Sequence, residues 1–261
     1  MKQNNINGIS IITPTYNSAK MLRDTMHSIM QQEDYNFEWI VITGDQSEET
    51  KAVLAKYDRN QLIVEYRDPN GIYDAVRAGF YKAKYDIVYW INAGDILMPY
   101  AFKSVFNESI NSENCCWTGR ASLRNENIQL IRVDPLNNYK NKFIELGFYG
   151  KHMPWIQQES IFFRRELLDK VDLDRFSKFR YAGDYFLFYS FTKQGVKIIS
   201  LNYVLASFTR HAGQISENQK RYWEEVESFT GKYLRNLILH PIDTIRSISY
   251  VINFFYNRMR P

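Results

Sequence analysis

The chain has few cysteines and no long apolar run, and both absences narrow the class of protein. Only two of its 261 residues are cysteines, the adjacent Cys115 and Cys116. They supply neither a disulfide framework nor the spacing of a zinc site, which favours a reducing, cytoplasmic environment. The sequence contains no uninterrupted run of about 18 apolar residues, so no transmembrane helix is predicted. Residues 1–7 are polar and lack the apolar segment of a secretory signal, so we expect a soluble or membrane-peripheral protein.

The chain also lacks a marked excess of one charge. Its 33 Lys and Arg residues against 29 Asp and Glu residues give a formal net charge of +4. Acidic and basic residues alternate along most of the sequence, and without a long basic face we expect no nucleic-acid partner. Aromatic residues, in contrast, make up 16% of the chain. They suit stacking on sugar and base rings or simply a well-packed core.

Apolar, β-branched runs alternate with helical segments through the first hundred residues. Strands are predicted at residues 9–13, 37–42, 62–66 and 86–91. Strands that alternate with helices in this way predict βαβ units and a parallel sheet, whose ligands bind beyond the carboxyl ends of the strands. Polar segments follow each run, at residues 15–17, 44–45, 68–74 and 92–95. We therefore expect these segments to converge on one edge of the sheet.

The second half of the chain is less regular. Short strands are predicted at residues 116–122, 128–132 and 160–164, a strand pair at 197–201 and 204–208, a loop region at 134–150 and a helix near Asp184. From Pro241 onward, apolar residues recur at spacings of three and four, which predicts an amphipathic helix. The apolar stripe consists of Ile242, Ile245, Ile248, Ile252, Phe255 and Met259.

This tail has two interpretations that the sequence leaves open. The stripe packs on its own domain or on a second subunit of a homo-oligomer, or the helix lies on an anionic membrane surface. Five basic residues accompany a single acid, Asp243, in this region. The basic residues are Lys232, Arg235, Arg246, Arg258 and Arg260. With membrane contact, the expected location is the inner face of the plasma membrane.

Six motifs, in the same order, resemble those of the family 2 glycosyltransferases. They are IITPTYN at residues 11–17, GIYDA at 71–75, NAGD at 92–95, QESIFFRR at 158–165, AGDY at 182–185 and RHAGQ at 210–214. The likeness spans roughly residues 8–216 and is strongest to bacterial enzymes that build capsule, O-antigen or exopolysaccharide repeat units.

The resemblance implies the A-type glycosyltransferase fold, an αβα sandwich with a mostly parallel central sheet. A nucleotide-sugar-binding, Rossmann-like half is expected at residues 1–112, an acceptor-binding and catalytic half at 113–216, and a C-terminal helical extension at 217–261. It implies an inverting enzyme that moves a sugar from a nucleotide diphosphate, UDP by default, to a hydroxyl of a glycan or lipid-linked glycan.

The resemblance also implies a divalent metal, Mn²⁺ or Mg²⁺, because such a cation neutralises the diphosphate without proton transfer. These cations prefer oxygen ligands, and Asp95 aligns with the family's acidic metal motif. Asn92 and Gly94 stand where many relatives carry carboxylates. His211 matches a histidine that approaches the metal or the diphosphate.

Asp184 matches the position of the general base, which takes the proton of the acceptor hydroxyl during attack. Alternatively, Asp184 is an ordinary acid at the N-terminus of a helix, where the helix dipole favours a negative charge. The residues that the resemblance places at the nucleotide or donor sugar are Pro14, Thr15, Tyr16, Asp45, Asp74 and Arg77. Asp45 lies one position beyond the place where the family usually carries an acid that contacts the base; Thr43 and Gly44 hold the aligned positions. Asp74 and Arg77 are one helical turn apart and share a face, so a plain salt bridge is the alternative for this pair.

Other functions stay open or are disfavoured on specific residues. The depleted acidic motif around Gly94 leaves a non-catalytic sugar-nucleotide-binding module as an alternative. A dinucleotide-dependent oxidoreductase is disfavoured because no glycine cluster follows the first strand. A glycosidase needs two opposed carboxylates; Asp95 and Asp184 could serve, but the nucleotide motifs would then have no explanation.

Overall fold

The computed structural model describes residues 7–32, 35–57, 60–109, 115–211 and 213–258. Three residues named above lie outside these ranges, namely Ala212, Met259 and Arg260. The described residues build a nine-stranded sheet.

The first half consists of alternating strands and helices, as predicted. In chain order they are β1 (Ile9–Thr15), α1 (Ala19–Met30), β2 (Phe37–Thr43), α2 (Glu48–Leu54), β3 (Leu62–Tyr66), α3 (Ile72–Lys82) and β4 (Ile87–Trp90). All three strand pairings within this half are parallel. Every residue of β1, β2 and β4 is buried, since helices cover both faces of the sheet.

The second half extends this sheet with strands in both directions. It begins with β5 (Ile96–Leu97), α4 (Ala101–Ser109), β6 (Cys115–Asn125), β7 (Leu130–Val133), α5 (Asn141–Glu145) and β8 (Ile161–Arg164). It continues with α6 (Leu173–Phe176), α7 (Gly183–Lys193) and β9 (Lys197–Arg210). The strand order in the sheet is β3-β2-β1-β4-β8-β6-β9-β5, and β7 pairs with β6. Strand β8 enters antiparallel between β4 and β6, whereas β6 and β9 run parallel.

Two details of the second half differ from the sequence prediction. The predicted strand pair at residues 197–208 is one continuous strand, β9, and the register shifts between Thr118 and Ala121 of β6 absorb the irregularity. Close approach at this point requires Gly119, because a Cβ there would lie 2.3 Å from Leu205 Cγ. The predicted loop region at residues 134–150 contains the short helix α5.

The core lies in two layers, one on each face of the sheet. One layer packs between the sheet and the helices α3, α5, α7 and the C-terminal helices. The other packs between the sheet and the helices α1 and α4. Cys115 and Cys116 belong to opposite layers, and both are buried thiols. The largest fully buried side chains that the structure describes are all aromatic. The aromatic richness therefore belongs mainly to the core, and the predicted αβα layering is confirmed.

Three helices end the described chain: α8 (Gln219–Thr230), α9 (Tyr233–Leu239) and α10 (Pro241–Arg258). The predicted tail helix is α10, but its apolar stripe does not pack on this domain, because Ile242, Ile245, Ile248, Ile252 and Phe255 are all exposed. Of the helices within the described ranges, none has the combination of length and hydropathy needed to cross a bilayer.

Candidate active site

The turn after β4 carries the buried acid Asp95. Gly94 has a φ of +106°, a backbone conformation that residues with a Cβ rarely adopt. The turn is tied to α1 by the Thr25 hydroxyl, which accepts from the Gly94 N–H (2.8 Å) and donates to the Asp95 carbonyl (2.8 Å). The glycine that replaces a carboxylate in the sequence motif is therefore required by the backbone of the turn.

The Asp95 side chain is 4% exposed and reaches the end of β9. Its Oδ1 accepts a hydrogen bond from the Thr209 backbone N–H at 3.0 Å. Burial raises the pKa of the carboxyl to about 7, although hydrogen bonds from Thr209 and Asn92 act in the opposite direction. Thr209 lies two positions before His211, so the contact between Asp95 and Thr209 brings the turn after β4 close to the segment that carries the second predicted metal ligand.

Glu159 is a second buried acid beside Asp95. Within the described part of the chain its Oε1 has no hydrogen-bond partner. Burial raises the pKa of Glu159 well above its ordinary value, and the charges of Asp95 and Asp184 raise it further. The Tyr89 hydroxyl fixes this segment by donating to the Glu159 carbonyl at 2.8 Å. Glu159 thus lies within electrostatic range of both acids that the sequence predicts to act together.

Asp184 lies in the first turn of α7 and is half-buried. Its Oδ1 accepts from the Tyr185 N–H at 2.8 Å and from the Tyr73 hydroxyl at 3.4 Å. Burial raises the pKa of Asp184 to about 6, against the effect of these two hydrogen bonds. Gly183 makes room for the tyrosine, since a Cβ there would lie 2.6 Å from the Tyr73 ring. The carboxylate is therefore fixed in place and only partly solvated.

The segment before Asp184 is held from two sides. Glu225 of α8 accepts hydrogen bonds from three successive backbone N–H groups, those of Arg180 (3.0 Å), Tyr181 (2.8 Å) and Ala182 (2.8 Å). On the other side, the Tyr73 hydroxyl donates to the Tyr181 carbonyl at 2.9 Å. Sequence reasoning assigned no role to Glu225, and no local pattern indicates one. Tyr73 belongs to the GIYDA motif, which was the available signal.

A cavity of about 700 Å³ adjoins this segment. Arg180 and Tyr181 line one side, and Gln214 and Lys220 line the other. Gln214 is tied to β9, because its side-chain amide donates to the Thr209 carbonyl at 2.9 Å. The cavity therefore lies between the segment before Asp184 and the chain after His211.

The predicted nucleotide residues of the first strand lie at the carboxyl end of β1. Pro14 and Thr15 are opposite Ile42 and Thr43 of β2, and the Thr15 hydroxyl lies 2.8 Å from that of Ser18. The Tyr16 side chain is 66% exposed. A Cβ built on the neighbouring Gly44 would lie 3.3 Å from the Tyr16 ring, so the two strand ends together present an accessible aromatic surface.

Asp45 already has protein partners at the start of α2. Its carboxylate accepts from the Thr50 hydroxyl at 2.5 Å and from the Ser47 N–H at 2.8 Å. The hydrogen bond from Thr50, followed by that from Ser47, lowers the pKa of Asp45. In this arrangement the side chain supports the helix start, and contact with a nucleotide stays a prediction.

Asp74 and Arg77 form the predicted ion pair on α3. Arg77 Nη2 lies 2.9 Å from Asp74 Oδ1, and Arg77 Nη1 lies 2.6 Å from Asp174 Oδ1. Asp74 Oδ2 also accepts from Arg67 (3.3 Å) and from the Asn70 N–H (3.1 Å). The shared face is confirmed. Through Asp74, Arg67 and Asn70 hold the segment after β3 against α3, and a donor-binding role stays a prediction.

Arg164 of the QESIFFRR motif lies away from the site, whereas Glu159 of the same motif lies within electrostatic range of Asp95. Arg164 is opposite Ile87 at the amino end of β4, whereas Asp95 follows the carboxyl end. Its guanidinium lies 5.6 Å from the centre of the Trp117 ring. Arg165 is exposed and its N–H donates to the Asp86 carbonyl at 2.9 Å. Antiparallel entry of β8 explains the difference, because it carries these arginines away from the rim.

Comparison with known proteins identifies the class of the chain. A structure of S. aureus TarS residues 1–349 in complex with UDP-GlcNAc matches with a TM-score of 0.59 and 14% identity, over 89% of this chain and 73% of that one. A mannosyltransferase from Pyrobaculum calidifontis in complex with GDP-Man and Mn²⁺ matches with a TM-score of 0.57 and 15% identity, over 84% and 61%. These similarities confirm the A-type glycosyltransferase fold.

The sequence comparisons agree with the fold. A glycosyltransferase of Rickettsia prowazekii, itself named uncharacterized, is 24% identical over 242 residues, which are 91% of this chain and 75% of the relative. The family model of glycosyl transferase family 2 matches residues 10–172, well over half of the chain. The protein belongs to glycosyl transferase family 2 and is a glycosyltransferase.

Proposed function

We propose that this glycosyltransferase inverts the anomeric centre of a nucleoside-diphosphate sugar, with Asp184 as the general base. The acceptor is a hydroxyl of a glycan or lipid-linked glycan in bacterial surface polysaccharide synthesis, and a UDP-sugar is the first donor to test. The observation that carries the proposal is the Asp184 carboxylate, held by Tyr73 and Tyr185, within electrostatic range of the buried Glu159, on which the charge of Asp95 also acts.

The Asp184 carboxylate has the properties that a general base needs. An acceptor hydroxyl is a weak nucleophile near neutral pH until a base takes its proton. A base with a pKa of about 6 is ionised at neutral pH and still binds a proton well. The adjoining cavity gives an acceptor access to this side of α7. Direct attack on the sugar then inverts its anomeric carbon.

The buried acids fit a divalent cation. Asp95 is almost fully buried, and within the described residues the buried Oε1 of Glu159 has no hydrogen-bond partner. Uncompensated burial of carboxylates is unfavourable, and oxygen donors suit Mg²⁺ and Mn²⁺. Asp95 and His211 would hold the ion, which when bound neutralises the diphosphate and the leaving group. No group of three or more His, Cys, Asp or Glu within the described ranges is arranged as a complete metal site. Diphosphate oxygens and water would therefore supply the other ligands.

The nucleotide lies, in this proposal, on the rim formed by the ends of β1 and β2. The exposed Tyr16 ring offers a stacking surface for the base, and Pro14 and Thr15 shape the wall beneath it. Asp45 borders this surface from the second strand end. Asp74 and Arg77 close the neighbouring part of the rim through their mutual ion pair.

A binding panel followed by a product assay tests the proposed function. Thermal unfolding is recorded with UDP-, GDP- and TDP-sugars, each with and without Mn²⁺. We expect one nucleotide class to raise the melting temperature, with a larger shift when the metal is present. Donors that bind are then incubated with glycan acceptors. Binding with no product across all acceptors would favour the alternative of a non-catalytic module, and no shift with any donor would contradict the proposal.

The acid limb of the pH–rate profile is expected near the pKa of Asp184. The base acts in its ionised form, so kcat/KM rises with pH through about 6 and is constant above it. Initial rates at saturating metal and subsaturating acceptor between acidic and neutral pH measure the limb. A rate that stays constant down to the ordinary aspartate range would show that Asp184 is not the titrating base.

Glu225 is expected to act as a positioning residue for Asp184. Glu225→Gln keeps one acceptor oxygen but places an amide N–H₂ against backbone donors, so the 180–182 segment shifts. We expect kcat to fall about 10- to 100-fold, the scale reported for small misplacements of catalytic groups, while the KM for the donor is unchanged.

The pH profile separates this role from a purely structural one. The charge of Glu225 contributes to the raised pKa of Asp184, so the acid limb of Glu225→Gln moves to lower pH. Glu224→Gln is the matched control, because Glu224 is the neighbouring residue and pairs only at the surface with Arg221. A variant at position 225 with full kcat and an unchanged limb would remove Glu225 from the mechanism.

A further inference from the structure

Helices α9 and α10 present a surface of large apolar side chains that the fold leaves exposed. We call this surface the apolar ridge. It consists of Leu234, Ile238, Ile242, Ile245, Ile248 and Ile252, whose side chains are 50–77% exposed. Single exposed apolar residues are ordinary, but a contiguous run of large ones marks an interaction site.

The ridge is not the face that holds α10 on the protein. Ser247 and Phe254 are buried, and Tyr250 and Val251 pack partly against the core. With 3.6 residues per turn, these residues lie on one side of the helix and Ile245, Ile248 and Ile252 lie on another. The helix is therefore apolar on two sides, and intramolecular packing uses only one of them.

The ridge is also firmly attached to the domain. The buried Asn236 side chain donates to the carbonyls of Leu146 (3.0 Å) and Thr230 (2.9 Å). His152 lies between the two helices, 2.7 Å from the Tyr233 hydroxyl and 2.7 Å from the Ser247 hydroxyl. Because the two helices are fixed by buried polar contacts, the exposure of the ridge belongs to the folded state.

Basic side chains lie along the flank of the ridge. Arg235 on α9 and Arg246 on α10 are exposed, and Lys232 precedes α9, where it pairs with Glu227 at 3.3 Å. The single acid of residues 231–261, Asp243, is half-buried. An exposed apolar stripe with arginine beside it matches the surface of an anionic bilayer, where acyl chains lie beneath negatively charged headgroups.

We propose that α9 and α10 dock the protein on an anionic lipid surface, with the apolar ridge in the interfacial layer. A second copy of the chain fits this surface less well. A two-fold interface places the same patch on both sides, so the arginines of each copy would face those of the other, and α9 and α10 themselves supply only one acid, Asp243, to offset them. Lipid headgroups supply the negative charge that a second copy lacks.

Vesicle sedimentation tests the proposal with the intact protein. We expect the protein to sediment with vesicles of equal parts phosphatidylcholine and phosphatidylglycerol. It should bind pure phosphatidylcholine vesicles more weakly, and added salt should weaken binding to the anionic vesicles because it screens the arginines. A protein that stays in the supernatant with both vesicle types would overturn the proposal.

Two pairs of substitutions locate the contact. Ile245→Ser with Ile252→Ser removes two ridge residues that are each 64% exposed, and we expect vesicle affinity to fall about tenfold or more from the lost apolar burial. The matched control is Leu130→Ser with Ile131→Ser on β7, where the side chains are 56% and 54% exposed; its affinity should equal that of the unmodified protein. Equal loss in both variants would overturn the assignment to the ridge.

The competing occupant is tested in the same preparation. Light scattering without vesicles should give a monomer for the unmodified protein and for both double variants. A dimer that dissociates in the Ile245→Ser, Ile252→Ser variant would assign the ridge to a second copy and overturn the lipid proposal. Unfolding curves for the two double variants establish that both are folded, which is expected since none of the four side chains is buried.

Discussion

Asp184→Asn is expected to reduce turnover by about 10²- to 10⁴-fold, the contribution typical of a general base. Asparagine cannot take the proton of the acceptor hydroxyl. Its carbonyl oxygen can still accept from the Tyr185 N–H and the Tyr73 hydroxyl, so the geometry of α7 is kept. Donor binding, measured by calorimetry, should be unchanged. Asp169→Asn is the control, because Asp169 is an exposed carboxylate outside the site.

The stability of this variant shows whether the loss is chemical. Asp184 has a folded pKa of about 6, above its ordinary value of 3.8, so between these values the folded state binds more protons than the unfolded state. Stability from this group is therefore present at low pH and is lost as pH rises through about 6. At pH 8 the variant should unfold at the same or a higher temperature than the unmodified protein. A variant that is inactive because it is unfolded, or one with near-normal turnover, would contradict the proposal.

The sequence predicted the parts of the fold that depend on local pattern. Strands β1, β2 and β4 are buried throughout, and β3 is partly buried at the edge of the sheet. The apolar runs of all four strands, bounded by polar turns, predicted strand ends within a few residues of those observed. The continuity of β9 could not be predicted in this way, because it depends on pairing with β6 along its whole length. Pairing between distant segments has no local sequence signal.

The same limit applies to the site. Asp95, Asp184 and His211 could be selected by motif, but the residues that hold the first two belong to distant segments. Tyr73 and Asp184 are separated by 111 positions, and Thr209 and Asp95 by 114. At Gly94, in contrast, the structure explains a residue that the sequence could only describe as a missing carboxylate. Its φ of +106° favours glycine at this position.

The tail shows why a periodic pattern does not determine packing. The spacing of Ile245, Ile248 and Ile252 predicted an amphipathic helix, and α10 is one. Packing on the domain uses Tyr250, Val251 and Phe254 instead. Two adjacent faces of the helix are apolar, and the choice between them depends on the shape of the surface formed by the rest of the fold.

Asp95→Asn is expected to remove the metal dependence that we propose for the enzyme while leaving the fold intact. The asparagine carbonyl can still accept from the Thr209 N–H, so the contact between the β4 turn and β9 is kept and only the charge is lost. A bound cation contributes several kcal/mol to stabilising the leaving group, and each 1.36 kcal/mol is a factor of ten in rate. We therefore expect turnover to fall by about 10²-fold or more.

The thermal shift gives this prediction a readout beyond activity. In the unmodified protein, Mn²⁺ should increase the thermal shift produced by the nucleoside diphosphate, and in Asp95→Asn this increase should be absent. Glu38→Gln is the matched control, since Glu38 is also buried but lies at the opposite end of the sheet, where it binds Ser10 and Lys84; its Mn²⁺ response should be unchanged. A carboxylate that contributes its charge to a metal cannot be replaced by a neutral amide without weakening that bond. If Asp95→Asn kept the same Mn²⁺ dependence in binding and in turnover, the cation would therefore be held elsewhere.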